Sequence, residues 1–398
     1  MIALLGTAGA AFAAPALASA SNAGPDATTR AEQAVFEAVV RETCGRQIVL
    51  LGENGYHGEG RTTAFKARLV ERLVSRCGFR LVLFEASQVE FLDIARRERR
   101  GEAIDRARLA AAVGRIWNQN REMAGLLTFL AEEKRRRPLI VGGLDDQLGS
   151  RGLLYGNDAV VDELAGYVSG PARADCHERL RRRIYAAYPE SAPYSLEQRA
   201  ALQRCVQAIR GGIAGRRPDS SRPFLLAMTD NIDRYLARDF EPDAVRNTLR
   251  DASMYRNFLW WLSFRGRRDQ KVLVWAANSH VAEGKGVDPQ FGGGAPMGHL
   301  IAARFGSASY AVGFSANTGL YRWSASESRP IPFAAASLEN RAITASGAAA
   351  ALVTRPAFLR EPELAGLFNH QFYRAQWSQF FDAVVVFGSE RPPERIDS

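Results

Sequence analysis

At 398 residues, 46% hydrophobic and 24% charged, the chain has the composition of a globular protein with a large core, which excludes disordered and collagen-like classes. The formal charge of +9 raises the question of nucleic-acid binding, but only four of the 52 basic residues are lysine (Lys66, Lys134, Lys271, Lys285), and the arginines are spread along the whole chain. Their densest clusters, 135–137 and 181–183, fall in helix-patterned segments where a solvated face explains them, so nucleic acid is not an expected partner.

The first twenty residues carry no charge, are dominated by Ala and Leu, and end in Ala18-Ser19-Ala20, an A-x-A cleavage pattern without the usual positive n-region. A signal peptide over 1–20 is expected, hence a periplasmic or secreted protein with no membrane attachment after cleavage. No Gly/Ser- or Pro-rich linker and no internal repeat divides the remainder, which reads as one main domain over about 30–390.

Short apolar runs of strand length follow at 48–52, 81–85, 139–144, 272–276, 310–314 and 383–387. Most are continuous rather than alternating, the pattern of strands covered on both faces. Between the first two, residues 62–76 place Phe65, Leu69, Val70, Leu73 and Val74 on one helical face, which completes a βαβ unit. The fold class expected is α/β, a mostly parallel sheet flanked by helices. Residues 155–216 carry helical patterns punctuated by Pro171, Pro189 and Pro193 and read as a helical insertion or cap. A long helix is expected over 243–264, and the Ala- and Ser-rich stretch 334–356 gives no pattern.

Four cysteines occur with no C-x-x-C and no Cys/His cluster that would suggest zinc. Cys44 and Cys77 precede the first two strands at the same end of what reads as an adjacent parallel pair, which predicts a Cys44–Cys77 bridge. Cys176 and Cys205 would then bridge the helical insertion. Four buried free thiols are the alternative.

The polar residues fall at carboxyl ends of strands: Glu53 after the first, Glu85 ending the second, Asp145 the third, and Asn278 and His280 after the fourth. In open α/β sheets that edge is where ligands bind. Glu53 and His57 lie in a turn containing Gly52, Gly55, Gly58 and Gly60, residues that let a backbone bend tightly. Histidine as a residue type titrates near neutral pH, and one oriented by a carboxylate passes protons between water and a leaving group. Glu85 could supply that orientation or activate the water itself. Glu53, His57, Glu85 and His280 are the catalytic candidates. His299, in a Gly-rich loop, is a candidate near the same edge, whereas His177 and His370, read in helical patterns, are not.

The segments GENGYHG, GFRLVLFEAS, GLDDQ, RDASMYRN and VWAANSHV occur in the order and spacing of the erythromycin esterase family, which the chain resembles from about 48 to 387. The likeness includes W-x-x-x-x-E-M at 117–123 and MGHL followed by YAVGF at 297–314. The resemblance implies an α/β core with a helical cap and hydrolysis in which a His activates water for attack on an ester, typically the lactone of a macrolide; the hydrolase expected here is metal-independent, with no cofactor. Carried over by motif, Glu53, His57 and Glu85 match the active-site Glu, His and Glu, and Lys66 falls where well-known members have Arg. Lys66, Asp145, Gln147, Arg250, Asp251, Asn278 and His299 are the expected contacts to a small-molecule substrate. Two positions depart from the pattern: Glu53 and His57 are four apart rather than three, and Ala277 stands where the family's HNxH has its first His.

No G-x-S-x-G elbow is present, so water rather than serine is the expected nucleophile. Two other classes stay open on the sequence alone. One is a binding protein that keeps the crevice, with haem held by His57 or His280. The other is a metal-dependent hydrolase with Glu53, His57, Glu85 and His280 as ligands.

Overall fold

The computed structural model describes residues 25–148, 156, 159–185, 194–264, 270–324, 327–358 and 361–396; the segment read as a signal peptide and part of the helical insertion lie outside them. The chain starts with α1 (Pro25–Cys44), β1 (Ile48–Leu51), α2 (Gly60–Arg76), β2 (Phe79–Ser87) and α3 (Gln88–Arg99). It continues through α4 (Arg106–Val113), α5 (Arg115–Asn118) and α6 (Arg121–Arg136) to β3 (Ile140–Asp145). A helical stretch follows, α7 (Val160–Ala165), α8 (Ala172–Tyr185), α9 (Leu196–Gly215), α10 (Arg222–Arg238) and α11 (Asp243–Ser263), with no strand among its described residues. Then come β4 (Lys271–Trp275), the single turn α12 (Asn278–Val281), α13 (Met297–Phe305), β5 (Ser309–Ala316), β6 (Leu320–Arg322), β7 (Ser328–Pro330), α14 (Leu338–Ser346), β8 (Ala350–Thr354), β9 (Glu363–Phe368), β10 (Gln371–Ala375) and β11 (Ala383–Phe387).

Seven strands form one sheet in the order β3-β2-β4-β1-β5-β11-β8, parallel except for β8, which runs antiparallel to β11. The continuous apolar runs match burial along their whole length: every residue of β1 and β11 is buried, as strands covered on both faces are. In α2 the predicted stripe Phe65, Leu69, Val70, Leu73 and Val74 is buried, and Lys66 is buried beside it. β1 occupies the centre, and because the chain later adds β4 on one side of it and β5 on the other, a crevice opens at its carboxyl end.

The order corrects one expectation. β1 and β2 are not neighbours, since β4 lies between them. The Cys44–Cys77 bridge nevertheless forms, with Cα atoms 5.2 Å apart, because it joins the ends of α1 and α2 rather than two strand starts. Lys271, which opens the intervening β4, donates to the carbonyls of both cysteines at 2.6 and 3.1 Å. The second bridge, Cys176–Cys205, ties α8 to α9. The stretch 334–356 holds α14 and the edge strand β8. His370 is not helical: it sits with Asn369 in the β9–β10 turn, both at positive φ. No helix among the described residues is long and apolar enough to cross a membrane.

Candidate active site

The loop after β1 carries Glu53 behind the crevice-lining His57, where it is 1% exposed and each carboxylate oxygen accepts two hydrogen bonds. Oε1 takes His57 Nδ1 at 2.6 Å and the Trp117 indole N–H at 2.8 Å. Oε2 takes Lys66 Nζ at 2.9 Å and the Trp275 indole N–H at 3.0 Å. Burial works against charging this carboxyl, but the Lys66 ammonium, followed by His57, outweighs it and holds the group below the ordinary range. Burial in turn pushes the Lys66 ammonium down to about 8, against the pull of Glu53, so at neutral pH both partners are ionised. Lys66 also lies 4.1 Å from the Trp275 ring centroid.

Across the four-residue spacing the His57 imidazole reaches Glu53 directly. The turn closes with His57 N–H donating to the Asn54 carbonyl at 2.9 Å, and the left-handed residue is His57 itself, with φ 54°. The neighbouring glycines serve close approach instead of positive φ: a Cβ on Gly52 would meet Asn278 Oδ1 at 2.0 Å, and one on Gly58 would meet the Arg322 carbonyl at 2.2 Å. With Nδ1 bound to Glu53, the free nitrogen is Nε2, which has no partner among the described residues and belongs to a ring that lines a crevice of 730 Å³.

A second network occupies the ends of β2, β3 and β4. Arg250 of α11 donates from Nε and Nη2 to Asp145 at 3.1 and 2.6 Å and from Nη2 to Glu85 Oε1 at 2.8 Å. Glu85 Oε2 accepts the Ala277 N–H at 2.8 Å. His280 is held from both ring nitrogens, Nδ1 on Asp251 at 2.8 Å and Nε2 on Glu85 at 3.2 Å. Burial opposes its protonation, yet Asp251 and Glu85 raise it to about 10, while Arg250 Nη1 also faces Nε2 at 3.1 Å. Glu85 is held well below the carboxylate range by His280 and Arg250 despite its burial. It is therefore a poor base, and it orients His280 and Arg250, whereas Glu53 orients His57.

The structure thus gathers Glu53, His57 and Lys66 in one group and Glu85, Asp145, Arg250, Asp251 and His280 in another. Of these, His57, Glu85, Arg250 and His280 line the crevice, and Gln147 and Ala277 join them there. Asn278 does not line it: its amide is spent on the backbone of Phe314 and Leu367, and its N–H donates to the Glu53 carbonyl, so it fixes the loop. His299 lies on α13 and bonds the Glu283 carbonyl, also outside the crevice lining. His177 pairs with Asp162 in the helical stretch, and His370 with Glu59. Two groups at the site escaped sequence reasoning, the Trp117 and Trp275 indoles on Glu53. Trp117 falls in the W-x-x-x-x-E-M segment, but a lone Trp carries no sign that its N–H serves a carboxylate from another element. Among the described residues, no three His, Cys, Asp or Glu side chains converge as a metal-ligand set.

A profile of the erythromycin esterase family matches residues 74–389. The chain belongs to the erythromycin esterase family. Glu85, Asp145, Arg250 and His280 lie within the matched span, and Glu53, His57 and Lys66 precede it. Three solved structures share the erythromycin esterase fold seen here. A succinoglycan biosynthesis protein aligns with TM-score 0.70 and 15% identity over 94% of this chain and 100% of its own. A Bacillus cereus protein aligns at 0.66 and 15% over 93% and 99%. The erythromycin esterase EreC, solved as a mutant in its open conformation, aligns at 0.62 and 16% over 91% and 95%. Family and fold together support an esterase or hydrolase.

Proposed function

We propose that this protein is an exported hydrolase of ester-type bonds in a small-molecule or carbohydrate ester, with water as the nucleophile and His57 as general base. The observation that carries this reading is the Glu53–His57 pair, 2.6 Å apart, whose remaining imidazole nitrogen belongs to a crevice wall. Nδ1–H donates to the ionised Glu53, which leaves the lone pair on Nε2 to take a proton from water. The water oxygen bonds to the ester carbon while the carbonyl π pair moves onto its oxygen. Collapse of that intermediate breaks the bond to the alcohol oxygen, which takes the proton back from His57, giving acid and alcohol. Arg250 lines the same crevice, and its Nη1, not spent on Asp145 or Glu85, donates an N–H to the developing oxyanion.

Export is supported by the A-x-A pattern at 18–20 and by two disulfides, bonds that persist in oxidising compartments. Ala277 favours one alternative, since its methyl group brings no proton-transfer group to the crevice wall, as a ligand-binding protein without turnover would tolerate. The deciding experiment offers the mature protein a panel of acyl esters, macrolide lactones and O-acylated oligosaccharides, and separately titrates it with haem. Turnover of at least one ester without a stoichiometric Soret band is expected. A Soret band with no turnover would instead select the binding protein.

A further inference from the structure

Three arginines line the crevice, and one of them, Arg250, is neutralised by Asp145 and Glu85. The other two, Arg115 and Arg395, are exposed, and neither pairs with a carboxylate among the described residues. That is unlike other exposed arginines of this chain, such as Arg100, Arg341 and Arg391, which each hold a glutamate. The two belong to one patch. Arg115 and Gln119 are four residues apart across the turn of α5, which puts their side chains on one face, and Arg395 Nη1 donates to Gln119 Oε1 at 3.2 Å. A backbone bridge between Asn120 and Arg395 fixes the C-terminal segment there. Arg322 stands behind, bonded through Nη1 to Asn120 Oδ1 at 3.4 Å, and burial together with the nearby Arg395 makes its own charge less favourable. Unneutralised guanidinium groups crowded beside a reaction crevice are relieved by an anion, and their planar forks suit a carboxylate or similar oxyanion.

We propose that Arg115 and Arg395 form an anion subsite at the side of the crevice, so that the preferred ester carries a second, negatively charged oxyanion group. The subsite rests on the ester-hydrolase reading and names its substrate class as acidic esters. The test compares 4-nitrophenyl hydrogen succinate with its methyl-capped neutral counterpart, in the wild type, in R115Q/R395Q and in R204Q/R217Q. The last removes the same charge from two exposed positions outside the crevice lining. The wild type is expected to prefer the charged ester by about tenfold or more in kcat/KM. That preference falls by about the same factor in R115Q/R395Q, mainly through KM, weakens in high salt, and persists in R204Q/R217Q. Equal handling of the two esters by the wild type, or equal loss in both double variants, overturns the subsite while leaving the hydrolase intact. Calorimetric binding of monophenyl succinate to the same three proteins separates the two ideas. If no ester is turned over, binding that needs Arg115 and Arg395 retains the subsite without the hydrolase, and absence of such binding removes it.

Discussion

Glu53 is the residue on which the site depends, because a fully buried carboxylate is tolerable only while its four donors are in place. Lys66 is the full positive charge held against Glu53, so Lys66→Met leaves a buried charge without its counter-ion. It is expected to cost about 3–5 kcal/mol in chemical denaturation. The double variant Glu53→Gln/Lys66→Met should recover part of that loss, and a purely additive cycle would show that the pair is not coupled. The pH dependence has a definite sign. Lys66 ionises in the fold at about 8 against 10.5 for the ordinary side chain, so between those values the unfolded chain binds the extra proton. Stability from this group therefore rises with pH across that window, while the cation that holds Glu53 is lost, and kcat/KM is expected to fall above pH 8. At this scale the sequence named Glu53, His57, Glu85 and His280 from their strand-end positions. It could not separate their roles, because those follow from which side chains converge: Glu53 with Lys66 and two indoles, His280 with two carboxylates.

The elements place these side chains through their carboxyl ends, and that much was readable from the first four short apolar runs, which end in or are closely followed by an acid, amide or histidine. Strand order was not readable, because the crossover helices let β4 enter between β1 and β2 long after both were formed. Nor was β8 visible, where Ala350 and Ala351 give an edge strand too little apolar contrast against the surrounding Ala-rich chain. The glycines of the 52–60 turn were legible as a turn signal, but for the wrong reason: their backbones let Asn278 and Arg322 approach, and His57 takes the left-handed conformation itself. Among non-glycine residues Asn adopts that conformation most readily, which makes His57→Asn the cleanest removal of the base.

Across the whole molecule, two disulfides bracket different parts of the fold. The Cys176–Cys205 bridge closes a loop with a sequence separation of 29 between α8 and α9, neither of which lines the crevice. Its loss in C176S/C205S is expected to cost about 3–4 kcal/mol through the freed unfolded chain, lowering Tm while kcat/KM on an accepted ester stays within about twofold. A large drop in kcat/KM would mean that α8 and α9 shape the crevice after all. The pairing itself was legible from strand and helix positions, although the expected adjacency of β1 and β2 was not what brought Cys44 to Cys77.

The central claim is that His57 Nε2, oriented by Glu53, removes the proton from water, and the most direct test is kcat/KM of His57→Asn against wild type on one accepted ester, with Tm measured alongside. The account predicts a loss of about 10²–10⁴-fold at nearly unchanged Tm. Wild-type turnover by the folded Asn variant would contradict it.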